Sequence, residues 1–371
     1  MRKLLKGLLG LTLAASSTAA LVSCKDKKKE YKHGELKVSI PTGNIRVTID
    51  ILAKELGYFD EEEVGFTAVN LGGNDALTAI EAENDTLDLL TAGFVADLQH
   101  IGQGRDLTFI AGTAVEGGAL IAKAGQAAQY KDSNTVINFD KFRTSKFGLA
   151  RNEASWIVTR QYLKDNDPQF SDTIDAENSD LITYYADAQT TAQAVGRGEV
   201  KIGYLPLEYA LLYQDGYGIE IIAAAGELQP EYVCCREVTA KNTYEEKYEA
   251  FVAYERARIR AWEYYKKEEN QERVVNIVSQ YSGKEKDYVR TYLYGGVTKF
   301  STDPNSKGIK AYVNAALNAG VLKQDVDVSE NISTGAYKEA LDSLIADYPA
   351  NTFYQETLAL YNQYNTENNN K

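Results

Sequence analysis

The sequence predicts an α/β protein of two lobes closed by a set of helices. Three observations predict it: strand and helix patterns alternate from Glu35 to Val115, the alternation starts again at Lys146 after a polar stretch, and beyond Thr239 only helical patterns remain. At 371 residues the chain exceeds what one core comfortably serves, which also favours two lobes.

Before the first strand stands a leader. Met1-Arg2-Lys3-Leu4-Leu5-Lys6 is basic, residues 7–22 are apolar and small, and Ser23-Cys24 follows. Such a run is an export signal, too short and too rich in small residues to span a bilayer well. No other apolar stretch approaches a span. Residues 25–33 (KDKKKEYKH) carry no core residue and read as a tether, so residues 24–34 are expected to be anchor and linker.

Glu35–Ile40 alternates as a strand, and Val47–Leu56 spaces its apolar residues as a helix stopped by Gly57. Val64–Asn70, Leu87–Thr91 and Leu107–Val115 are the next strands, separated by helices at Asp75–Glu83 and Val95–Gly102. In the second series, Lys146–Leu149, Leu181–Tyr185, Lys201–Tyr204 and Ile219–Ala224 are strands. Ser155–Lys164, Thr190–Gly196 and Leu207–Gln214 are helices between them.

Five helical patterns complete the chain: Tyr244–Lys267, Glu272–Tyr281, Lys286–Tyr294, Gly308–Ala319 and Thr334–Tyr348. Helices that cannot form a bundle alone are expected to pack back on the first lobe and close the molecule. The expected organisation is lobe 1 over 35–118, lobe 2 over 119–230, lobe 1 resumed over 231–361, and a frayed tail over 362–371.

Composition narrows the function. The net charge is −13, and removing residues 1–23 takes away Arg2, Lys3 and Lys6 and no acid, giving −16. So acidic a surface repels phosphate backbones, which argues against nucleic acid. Three cysteines make no disulfide framework or zinc spacing, and two histidines, His33 and His100, leave little for a His-based triad. No metal and no cofactor is called for.

Several segments resemble a known family. They are Glu55-Leu56-Gly57-Tyr58-Phe59, Gly72-Gly73-Asn74-Asp75-Ala76-Leu77, Asp88-Leu89-Leu90-Thr91-Ala92-Gly93, Lys146-Phe147-Gly148-Leu149, residues 194–203 (AVGRGEVKIG) and Tyr281-Ser282-Gly283. In that order they resemble the ABC-transporter solute-binding proteins of the nitrate, sulfonate and taurine type, relatives of the thiamine-pyrimidine binding proteins. Leu21-Val22-Ser23-Cys24 is similar to a bacterial lipobox, which implies lipidation at Cys24.

The resemblance implies a two-lobe periplasmic-binding-protein-like fold of type II. A ligand cleft lies between the lobes, and the strands cross near Val115–Ala122 and Ala223–Glu237. It implies a monomer held at the extracytoplasmic face of the cell membrane by its lipid, with an ABC permease and ATPase as partners. Such a protein captures a small polar organic or anionic solute without chemistry. Alternatives are an enzyme on the same fold, using Cys234, Cys235 and His100, and a sensory lipoprotein.

Ligands in open α/β sheets bind beyond the carboxyl ends of strands, where helix N-termini present N–H groups. That rule nominates Thr42, Gly43 and Asn44 after the first strand, although capping by Thr42 or Asn44 explains them equally. It nominates Gly73 and Asn74, rather than Asp75, after the second strand, and Gly93 with Phe94 as an aromatic wall after the third. Asp97 is read as solvent-facing or capping.

In the second lobe Asn152 and Ser155 are candidate donors and Arg151 the candidate cation, with Arg46 its first-lobe counterpart; pairing with surface acids is the plainer role for either Arg. Pro206-Leu207-Glu208 aligns with a Trp-Glu-Pro-like turn of the family but lacks the Trp. Glu208 in a cleft favours N–H donors or positive charge in the ligand. Tyr204 and Tyr185 either stack on a ring or belong to the core. Adjacent Cys234 and Cys235 are expected as buried thiols whose side chains point apart.

Overall fold

The computed structural model describes residues 29–82, 85–115, 117–150, 155–167, 169–170, 181–229, 233–296, 298–322 and 326–365. Cys24, Arg151 and Asn152 lie outside them. From Tyr31 onward the chain forms one compact unit.

The strands, in chain order, are β1 (Glu35–Ser39), β2 (Gly65–Val69), β3 (Leu90–Gly93), β4 (Leu107–Gly112), β5 (Ala114–Val115), β6 (Gly118–Lys123), β7 (Lys131–Asp132) and β8 (Val136–Ile137). They continue with β9 (Phe147–Ala150), β10 (Ile182–Tyr185), β11 (Ile202–Pro206), β12 (Ile219–Ala224), β13 (Cys235–Ala240) and β14 (Lys299–Phe300).

Two sheets share one plan. In the first, β1 pairs parallel with β2, a parallel bridge from Val38 to Leu89 attaches β3, and β13 runs antiparallel between β3 and β4. The order is therefore β2-β1-β3-β13-β4. In the second the order is β10-β9-β11-β6-β12, with β6 antiparallel to both β11 and β12. Each sheet thus takes one reversed strand from a chain that has just crossed from the other. The crossings run from β5 to β6 and from β12 to β13, near the positions that the resemblance implies.

The apolar residues of the strands explain the layers. Leu36 and Val38 in β1 pack with Ile49 and Leu52 of the helix Thr48–Glu55 and with Phe251 of the helix Tyr248–Lys266 on one face of the first sheet. Leu90, Phe109 and Val238 supply the other face. Phe59, Phe66 and Tyr254 stack at centroid distances of 4.5 Å and 5.2 Å. The second sheet has its own cores, one around Phe147 and Tyr204 and the other around Ile121 and Val195. Gly118 of β6 is demanded by this packing, because a Cβ there would stand 2.5 Å from the Tyr204 ring.

The C-terminal helices pack on the first lobe: Gly335–Asp347 lies against Tyr248–Lys266, and Thr352–Asn365 against Gly335–Asp347 and Ser306–Asn318. Two departures from expectation fall in this part of the chain. The long helical run breaks at Lys247, which separates Lys241–Glu246 from Tyr248–Lys266 and sends its ammonium 2.7 Å from the buried Asp88 carboxylate. The helix Thr352–Asn365 has no counterpart in the periodicity reading and carries order past Asn362, the expected start of the tail. Its last residue, Asn365, is buried and accepts from Ser306 N–H and Oγ–H at 2.9 Å each.

Beneath the sheet lies a buried charge cluster. Arg258 donates to Asp50 (3.0 Å), Glu237 (3.0 Å), Glu255 (2.9 Å) and the Gly112 carbonyl (2.8 Å), and Tyr254 Oη–H donates to Asp50 at 2.5 Å. It joins the helices Thr48–Glu55 and Tyr248–Lys266 to β4 and β13. Burial, then repulsion among the acids, raises the Glu237 carboxyl well above its usual range, opposed by Arg258. Burial raises Glu255 as well. One guanidinium among three carboxylates leaves negative charge in excess, so a proton held by the cluster lowers its cost.

Among the described residues no helix is long and apolar enough to cross a membrane.

Candidate functional site

The parallel strands β1, β2 and β3 end along one edge of the first sheet, and β9, β10 and β11 end along one edge of the second. The loop 40–46 follows β1. Thr42 is exposed, and its N–H donates to Asn70 Oδ1 at 2.9 Å, tying this loop to the one after β2. Gly43 turns the loop at φ 77°, the left-handed region, 3.5 Å from the Ser282 carbonyl as measured from a Cβ built on it. Asn44 is a cap, as the plainer reading had it: its side chain accepts from Arg46 N–H at 2.9 Å.

Arg46 reaches across to the second lobe. Its Nη2 lies 3.5 Å from Glu208 Oε2, while Lys284 Nζ lies 3.1 Å from Glu208 Oε1. Glu208 starts the helix Leu207–Tyr217 directly after β11, and Lys284 follows the helix Gln271–Ser282, which Gly283 ends at φ 67°. Tyr281 Oη–H donates to the Pro41 carbonyl at 3.1 Å, which seats the 281–284 turn on the 40–46 loop. Two cations thus share one carboxylate at this corner, so Glu208 meets Arg46 and Lys284 of the protein itself where a positively charged ligand was expected.

Lys284 is the residue that sequence reasoning missed. The signal lay beside it in Tyr281-Ser282-Gly283, a helix end that delivers the next side chain to wherever the helix points.

Gly73 and Asn74 begin the helix Gly73–Glu81, both exposed, with Gly73 at φ 56°. Gly72 adjoins Pro41, so this turn and the 40–46 loop are neighbours. Gly93 is exposed at the end of β3. Phe94 is not a wall of the cleft. It is 2 % exposed, with its ring 4.7 Å from Phe109 and 4.9 Å from Tyr312, because the first helical residue after β3 turns its side chain under the sheet, where burying an aromatic gains most. Asp97 is neither solvent-facing nor capping: it is fully buried, neither carboxylate oxygen has a hydrogen-bond partner among the described residues, and burial raises its pKa well above the usual range.

In the second lobe Ser155 precedes the helix Trp156–Asn166 and is nearly buried. Its carbonyl accepts from Tyr204 Oη–H at 2.9 Å, and its side chain does not cap the helix. Tyr204 is core. Arg151 and Asn152, just before Ser155, fall outside the described residues.

Cys234 and Cys235 depart from expectation. Cys235 opens β13, but Cys234 precedes the strand, so strand alternation does not separate them; their Sγ atoms lie 3.5 Å apart. Cys235 is buried and Cys234 half-buried. Among the described residues no three His, Cys, Asp or Glu side chains gather as metal ligands.

No protein-family model matches the chain, and no curated protein matches it either. Solved structures do. A putative periplasmic sulfonate-binding protein of a sulfonate ABC transporter, SsuA from Methylobacillus flagellatus KT, aligns at a TM-score of 0.64 and 12% identity over 85% of this chain and 96% of its own. The periplasmic nitrate-binding protein NrtA from Synechocystis PCC 6803 aligns at 0.63 and 12% over 84% and 90%. The periplasmic aliphatic sulphonate binding protein SsuA from Escherichia coli aligns at 0.60 and 14% over 82% and 99%. These three neighbours are thus sulfonate- and nitrate-binding proteins, and the chain has their two-lobe fold.

Proposed function

We propose that this chain is the extracytoplasmic solute-binding subunit of an ABC importer, and that its solute is a small anion of the sulfonate or nitrate kind. The observation that carries the reading is the Arg46–Glu208–Lys284 cluster, which joins the two lobes at the carboxyl edges of their sheets. An anionic group takes the place of the Glu208 carboxylate between the two cations. Thr42, Gly43, Gly73, Asn74 and Gly93 supply neighbouring backbone and side-chain groups, as does Ser155 from the other lobe. The neighbours that bind sulfonate and nitrate support an anion of that class.

Binding and release need no chemistry. Ligand between the lobes favours the closed arrangement, which the permease reads as the loaded form. Lipidation of Cys24 keeps the protein at the membrane, with residues 25–30 as its tether, shorter than the expected 25–34 because Tyr31, His33 and Gly34 bond to Asp60, Glu63 and Gly65 of the folded body; two or more acyl chains make such an anchor stable. Metabolic labelling with palmitate, lost in Cys24→Ala, tests the anchor.

Titration calorimetry with alkanesulfonates, taurine, nitrate, pyrimidines and amines tests the site. Heat from an anion that disappears in Arg46→Ala supports the reading. Binding of amines or pyrimidines alone, unaffected by Arg46→Ala, overturns it.

A further inference from the structure

We propose that Cys234 and Cys235 form a dithiol–disulfide modification site, cycled by low-molecular-weight disulfides such as oxidised glutathione. Adjacent cysteines in an extended strand point to opposite faces. Here the strand begins only at Cys235, and the preceding backbone turns Cys234 so that the two Sγ atoms meet at 3.5 Å. Bond formation needs an approach to about 2.05 Å, a small movement from contact.

The two cysteines differ in access, which orders the chemistry. Cys234 is half-buried and Cys235 only 5 % exposed. The Cys234 thiolate attacks one sulfur of the small disulfide and expels a thiolate, which takes up a proton. The Cys235 thiolate then attacks Cys234 Sγ and expels the second thiolate. Two S–H bonds are lost from the protein, one S–S bond forms, and the reagent leaves as two thiols, so the two electrons are accounted for.

The product is a labile bond rather than a brace. Neighbouring Cα atoms are about 3.8 Å apart, shorter than the usual 4.4–6.8 Å of a disulfide, and strained or accessible disulfides are the readily reduced ones. An extracytoplasmic setting supplies oxidants of this class.

Its position gives the modification a consequence, a point that rests on the cleft reading above. Cys235 pairs with Gly93 across β13 and β3, and the Cys234 carbonyl accepts from Phe94 N–H at 3.4 Å. Closing the ring re-aims the peptide between the two cysteines, and with it the Gly93 turn at the carboxyl edge of the first sheet.

The test uses the intact protein, incubated with oxidised then reduced glutathione and digested with trypsin. Residues 202–236 form one tryptic peptide holding both cysteines and not Cys24. The expected result is loss of two hydrogens from that peptide with oxidised reagent and their return with reduced reagent. Cys235→Ser should instead accumulate a glutathione adduct on Cys234, and Cys234→Ser should take up none. A peptide that keeps both thiols, or a wild-type peptide that stops at a glutathione adduct, overturns the proposal. None of these readouts depends on the solute, so the site can fail or stand apart from the transport reading.

Discussion

Glu208 Oε2 stands 3.5 Å from Arg46 Nη2, so a carboxylate at the end of β11 in the second lobe meets a guanidinium on the loop after β1 in the first. With Lys284 on its other oxygen, Glu208 competes for the cations that the solute is proposed to use. Glu208→Gln removes the competitor. All three side chains are partly exposed, and such pairs contribute about 0.2–1 kcal/mol each. The expected outcome is anion affinity raised by up to about thirtyfold if both pairs are released, whereas Lys284→Ala lowers it; titration calorimetry against one anion reads both.

Asp97 is buried with no partner among the described residues, and burial raises its pKa well above the usual range. Its native proton stabilises the fold fully below the ordinary Asp value of about 3.9 and is lost as a stabilising contribution while pH rises through the folded value. Asp97→Asn keeps a neutral group at every pH. The variant should be close to wild type in acid and more stable by about 1–3 kcal/mol once the wild-type group ionises, measured as urea midpoints across pH.

Glu237 is raised by burial first and by Glu255 and Asp50 next, against the pull of Arg258. The sign is the same as for Asp97: stability from the bound proton is complete below about 4.3 and falls as pH rises through the folded value. Glu237→Gln should therefore flatten the decline of unfolding free energy as pH rises above the ordinary Glu value of about 4.3. An unchanged slope would place the cluster's proton on another group.

Asn365 accepts from Ser306 and donates to Asp303 at 3.0 Å, closing the last helix onto the first lobe. Asn365→Ala leaves those buried groups unsatisfied. A loss of about 1–3 kcal/mol in urea unfolding is expected.

Much of the fold was legible because periodicity is local. β1, the helix Thr48–Glu55, β12 and the helix Lys286–Tyr294 fall within a residue or two of their patterns, whereas the polar stretch before β9 lies inside the second sheet, which already begins with β6. The helix Thr352–Asn365 escaped because its tyrosines and asparagines form no clean apolar stripe; Tyr354 and Tyr361 are buried beside polar neighbours.

The sequence by itself determined the α/β alternation, the turns where loops leave parallel strands, and the candidacy of Arg46 and Glu208. Only the tertiary structure decided their partners. Arg46, Glu208 and Lys284 come from three distant segments, and nothing local says that two cations share one carboxylate. It also turned Phe94 inward, buried Asp97 and set Cys234 against Cys235. The physical reason is common to all: the backbone pattern follows from neighbours in sequence, whereas a side chain's direction and charge environment follow from whatever packs against it.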